Sequence, residues 1–125
     1  MKKIAIVRIR GKIRVSGKII DTLDMLRLYR QNYCVVFEKT PSVVGMLRTV
    51  KDYVTWGEID DETIKLILEK RGEPHPEDKK KLKSYFRLSP PKGGFERKGI
   101  KKSYREGGAL GYRGAKIKDL ILRMI

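Results

Sequence analysis

The chain has 125 residues, 40% of them hydrophobic, with 30 Lys and Arg against 15 Asp and Glu for a net charge of +15. That length suits one domain or one core with an appendage, and no apolar run reaches the roughly 18 residues of a membrane span. A single cysteine (Cys34) and a single histidine (His75) exclude an internal disulfide and a zinc finger. Charge returns at Arg8, too soon for a signal peptide. A cytoplasmic protein without metal or other cofactor is expected.

In chain order, Ile4 to Ile9 reads as a buried strand, with Ala5, Val7 and Ile9 on one side and Ile4, Ile6 and Arg8 on the other. A basic loop over 10–18 follows, carrying Gly11 and Gly17, with Ser16 as candidate cap of a helix that runs to about Arg30. Ile19, Ile20, Leu23, Met25 and Leu26 would face its buried side. An anion beside this loop would meet Lys12, Arg14, Lys18 and the free amides of the helix start. Residues 33–38 form a second strand, in which Cys34 reads as a small buried hydrophobe. Thr40 and Pro41 open a second helix, in which Val43, Leu47, Val50 and Val54 recur at helical spacing. Gly45 inside it suggests close packing against another backbone. Residues 53–59 form a third strand, and Trp56 on it reads as core or sheet surface rather than a stacking platform. Two helices then cover one face of a three-stranded sheet, and the other face needs cover from elsewhere or stays polar.

Acids from Asp60 to Glu62 start a third helix with Ile64, Ile67 and Leu68 as its apolar stripe and Gly72 as its stop. Glu73-Pro74-His75-Pro76 is a stiff connector in which His75 reads as exposed linker. From Leu88 to Gly114, two prolines and seven glycines exclude an ordinary helix or a central strand. The chain closes on a helix whose Ile117, Leu120, Ile121 and Met124 share one face, expected to dock on the core and pin the glycine-rich stretch.

Charge is concentrated in two blocks. Residues 1–18 carry +7 and residues 79–105 carry +10, while 19–78 carry −4 and the last twenty carry +2. Phe95, Tyr104 and Tyr112 are set among the second block's cations. Lys and Arg neutralise phosphates and aromatic rings stack on unpaired bases, so a segment that orders against RNA is expected. If the fold brings the blocks together, they form one polyanion-binding face. A membrane is a poor partner, because the basic blocks are rich in Gly and Pro rather than amphipathic.

Enzyme motifs fail. Gly108, Gly111 and Gly114 lack the dinucleotide spacing, and Ile100 stands where a phosphate loop needs lysine. No nucleophile has a base at a recognisable spacing.

Two stretches resemble the large-subunit ribosomal protein family called L-thirty in bacteria and archaea and L-seven in eukaryotes. They are Thr40-Pro41-Ser42-Val43-Val44-Gly45-Met46-Leu47 with Val50, Val54 and Gly57-Glu58, and Pro90-Pro91-Lys92-Gly93-Gly94 with Glu106-Gly107-Gly108-Ala109-Leu110-Gly111-Tyr112-Arg113 and the closing helix. The second stretch is similar to the extension of archaeal and eukaryotic members, and the eukaryotic N-terminal arm is absent. The resemblance implies a three-stranded sheet with the first strand central. It also implies a non-catalytic structural role in the large ribosomal subunit, bound to large-subunit ribosomal RNA beside 5S RNA and neighbouring ribosomal proteins.

The expected architecture is α+β: a three-stranded sheet with two helices on one face, in the order strand-helix-strand-helix-strand and related to the ferredoxin-like fold, plus a basic glycine-rich C-terminal extension with helices. Residues 1–59 form the core and 60–125 the extension. Candidate RNA-binding residues are Arg8, Arg10, Lys12, Arg14 and Lys18 in the first block. In the second they are Lys79, Lys80, Lys81, Lys83, Arg87, Lys92, Arg97, Lys98, Lys101, Lys102, Tyr104 and Arg105, followed by Tyr112 and Arg113. The rival readings are a general RNA chaperone or RNA-binding regulator outside the ribosome, and a nucleic-acid-modifying enzyme.

Overall fold

The computed structural model describes residues 3–11, 16–71, 86–88, 91–92 and 107–124. The expectations for the connector around His75 and for most of the two basic blocks lie outside these residues. The described elements are β1 (Lys3–Arg8), α1 (Gly17–Met25), β2 (Tyr33–Glu38), α2 (Pro41–Val50), β3 (Val54–Ile59), α3 (Asp61–Arg71), β4 (Phe86–Arg87), β5 (Gly111–Tyr112) and α4 (Ile117–Met124). The sheet runs β4-β2-β1-β3-β5, with β1 at its centre as expected. β1 pairs antiparallel with β2 and β3, and β5 joins β3 in parallel.

Alternation along β1 splits the core in two. Ile4 and Ile6 face α1 and α2, packing with Leu23, Leu26, Leu28, Val43, Leu47 and Val50. Ala5, Val7 and Ile9 face the other way, onto Cys34, Ile67, Phe86, Ile117, Leu120, Ile121 and Met124. The face that the first sixty residues leave open is therefore covered by α3 and α4 with Leu88, Ala109 and Leu110, while β4 extends the sheet beside β2. All four residues of the α4 stripe are fully buried, and each apolar side chain of that size contributes about 2 kcal/mol. Cys34 sits among them as an inert hydrophobe, its thiol pushed up to about 12 by burial.

Several expectations need correction. α1 ends at Met25, well short of Arg30, because Arg27 takes a left-handed conformation with φ of 63°. The Leu28 amide then donates to Leu23 and the Arg27 amide to Asp24, the double bond of a Schellman cap. With the helix stopped there, Met25 lies 63% exposed while Leu28 is buried beside Leu23. Val54 begins β3 instead of continuing α2. On α3, Ile67 is buried but Leu68 is exposed. Gly45 faces open space, so close packing does not explain it. The glycine that needs its size is Gly57, where a Cβ would lie 2.0 Å from the Gly114 carbonyl oxygen.

Ser16 takes the position before α1 as expected, but its hydroxyl makes no capping bond there; the starts of α2 and α3 do follow their capping chemistry. The Thr40 hydroxyl accepts from the Val43 amide at 3.3 Å with Pro41 at the first position, and Asp60 accepts from the Thr63 amide at 2.9 Å.

Candidate nucleic-acid interface

Register brings parts of both basic blocks to one end of the sheet. Arg8 pairs with Val54, Val7 with Cys34, and Tyr33 with Arg87, so β1 ends where β2 and β3 begin and β4 ends. The Asn32 amide donates to the Arg8 carbonyl at 2.8 Å, and the Leu88 amide to the Asn32 carbonyl at 3.1 Å. On the opposite edge Gly111 pairs with Thr55, which puts Ala109 and Leu110 at the same end. Arg10 and Gly11, which lead into 12–15, therefore share an end of the sheet with Arg87 and Leu88. The chain that follows 93–106 returns there too.

Arg10 is held ready. Its guanidinium lies 5.0 Å from the centre of the Tyr53 ring and donates to the Asp52 carbonyl at 3.4 Å. Lys18 is exposed in the first turn of α1, and Arg87 is exposed on β4. Lys92 is exposed, its amide donating to the Arg123 carbonyl at the end of α4. Lys12, Arg14, Lys79, Lys80, Lys81, Lys83, Arg97, Lys98, Lys101, Lys102, Tyr104 and Arg105 lie outside the described residues.

Two candidates serve the fold instead. Arg8 is 1% exposed, and its Nε donates to the Arg10 carbonyl at 2.9 Å and its Nη1 to the Leu28 carbonyl at 2.7 Å. Burial lowers its pKa, partly offset by Asp24. The side chain ties the β1 exit to the end of the α1 segment, so it presents no charge to a ligand. Arg113 is 6% exposed, with Nε donating to the Thr55 hydroxyl at 2.7 Å and Nη2 to the Ala109 carbonyl at 2.9 Å. Thr55 in turn donates to the Gly111 carbonyl at 2.8 Å. This set fastens β5 to β3.

Tyr112 belongs to a different place. It pairs with Trp56 across β5 and β3, the ring centres 6.4 Å apart and tilted by 48°. The two rings, with Ile4, Val44 and Leu47, line a groove of about 250 Å³ bordered by Lys39 and Arg48. The Tyr112 hydroxyl donates to Glu58, which also pairs with Lys39 at 3.5 Å. Sequence reasoning missed Lys39 and Arg48. Alternation offered a signal for the first, since Lys39 continues the face of Val35 and Phe37 on β2. Among the described residues, no cluster of His, Cys, Asp or Glu could hold a metal, and no helix is long and apolar enough to cross a membrane.

Residues 4–54, from β1 through α2 to the first residue of β3, match the family model of ribosomal protein L30p/L7e. The chain is 45% identical to the large ribosomal subunit protein uL30 of Methanopyrus kandleri, over 93% of this chain and 99% of that protein. The chain belongs to the L30p/L7e family. It is likewise similar to the uL30 proteins of Nanoarchaeum equitans, at 43% identity over 97% of each chain, and of Thermoplasma acidophilum, at 41% over 98% of this chain and 92% of that one. These relatives are archaeal, and the likeness extends past β3 to the glycine-rich segment and α4. Membership in L30p/L7e makes this a ribosomal protein, a structural component without enzymatic activity.

Proposed function

We propose that this L30p/L7e protein is a structural constituent of the large ribosomal subunit that binds large-subunit ribosomal RNA through its two basic stretches. The names of its archaeal relatives support the assembly. The observation that carries the RNA reading is the meeting of Arg10–Gly11, Arg87–Leu88 and Ala109–Leu110 at one end of the sheet. Residues 1–59 contribute Arg10 and Gly11 to that end, and 60–125 contribute Arg87, Leu88, Ala109 and Leu110. Lys and Arg held there release counterions from the phosphate backbone, while exposed glycine backbone lets the chain come close to folded RNA. The family likeness adds 5S RNA and neighbouring ribosomal proteins as further contacts, and no membrane.

The test is the salt dependence of binding. Replacing Arg10, Lys12 and Arg14 together by Ala should lower the slope of log affinity against log salt by about one for each phosphate that is no longer neutralised. An unchanged slope would remove this loop from the interface.

A further inference from the structure

The groove on the α2 face of the sheet lies away from the basic end. Its register partners are Ile4 with Glu58 and Ile6 with Trp56, toward the start of β1 rather than its end. Its walls are the side chains of Ile4, Val44, Leu47, Trp56 and Tyr112. Tyr112 stays 53% exposed, and Trp56 is half-buried. Polar groups stand only at the rim, where Lys39 keeps 47% of its side chain exposed and Arg48 faces solvent from α2. The Glu58 carboxylate beside that rim is engaged by Tyr112 and Lys39.

We propose that this groove takes one unpaired RNA base, stacked on the exposed Tyr112 ring and packed against Trp56, with the flanking phosphates on Lys39 and Arg48. This rests on the RNA-binding function proposed for the basic end and adds a second, separate contact to it. The volume of about 250 Å³ falls below the roughly 300–1,000 Å³ of pockets that enclose a whole small molecule. It suits a single planar ring with its sugar and phosphate left outside. Apolar walls read the face of a base and offer nothing to its hydrogen-bonding edge, so the contact tolerates any base. Cations at the rim of an aromatic floor match the charge of a single strand. A protein side chain would gain nothing from Lys39 and Arg48 unless it brought acids with it. Tyr112 is well placed as the adjustable wall, since its backbone is fastened through Arg113 and Thr55 while its ring projects from the sheet edge.

Trp56 is the only tryptophan in the chain, so its fluorescence reports this groove in the full-length protein. The probes are short single-stranded oligoribonucleotides, six adenylates or six uridylates, and an abasic ribose-phosphate chain of equal length. Base-bearing strands should quench Trp56 saturably, and the abasic strand should bind without quenching. Tyr112→Ala should weaken the quenching strand's affinity by about tenfold, and Tyr112→Phe, which keeps the ring, should not. Val44→Phe fills the groove from the surface of α2 and should abolish quenching while ribosomal RNA still binds through the basic end. Equal quenching by the abasic strand, or quenching that survives Val44→Phe, overturns the proposal. Tight binding of ribosomal RNA with Trp56 unquenched overturns the groove alone. Absence of binding to every RNA overturns both the groove and the basic end as RNA sites.

Discussion

Gly45 and Gly57 show how one residue type reads alike in sequence and differs in space. Gly45 sits on α2 with nothing within 4 Å of an added Cβ, so Gly45→Ala should stabilise the protein by up to about 1 kcal/mol through helix propensity. Gly57 lies under Gly114 and Ile117. Gly57→Ala must push away backbone, and should cost about 3 kcal/mol and loosen β5 and α4. Thermal melts of the two variants should therefore move in opposite directions. Arg8 gives the same lesson for charge. From sequence it is one cation among seven in the first block, and only the bonds to Arg10 and Leu28 show that it is spent internally. Arg8→Met should lower stability by about 2 kcal/mol by leaving buried carbonyls unpaired, with the salt slope of RNA binding unchanged in the fraction that folds. A melt combined with a salt titration separates the two effects.

At the scale of elements, strands and helices were legible wherever hydrophobic period and capping residues agreed. Ile4–Ile9 alternation, Thr40-Pro41 and the α4 stripe each match an observed element because local chemistry and burial point the same way there. The end of α1 was not legible, because an arginine rather than a glycine occupies the left-handed cap position at Arg27. β4 and β5 escaped for a different reason. Each pairs only two residues with a strand remote in sequence, too few to leave a period. The groove was hidden likewise, since Lys39, Arg48, Trp56 and Tyr112 come from separate parts of the chain. The Tyr112–Glu58 bond that helps hold β5 makes a pH prediction. It keeps the Glu58 carboxyl below its ordinary 4.5 and raises the Tyr112 hydroxyl above its ordinary 10.0. Its stabilisation is therefore present above about pH 4.5 and fades as pH falls through the lower folded value of Glu58. It is full below about pH 10 and fades as pH rises through the raised value of Tyr112. Tyr112→Phe should lower stability within that window by less than about 1 kcal/mol, because the pair faces solvent. The difference should close in acid, as read by melts followed across pH.

For the whole molecule, the arrangement that matters is topological. β1 is central and antiparallel to both neighbours, so the loop after it opens at the end of the sheet where β4 finishes and β5 approaches. Two basic blocks about sixty residues apart in sequence are thereby rooted at one place. Sequence alone raised this as a condition and could not meet it, since charge pattern carries no information on strand order. α4 secures the arrangement by burying its stripe under the sheet, with Lys118 paired to Asp60 at 3.7 Å. The central claim is that this end of the sheet selects folded large-subunit RNA rather than any polyanion. The direct measurement is binding of the purified protein to labelled large-subunit ribosomal RNA fragments across a salt series, with unrelated RNA as competitor. Tight binding to particular fragments that survives both competitor and rising salt is the predicted result. Equal binding to every RNA at low salt, lost together as salt rises, would contradict it and leave a general RNA chaperone.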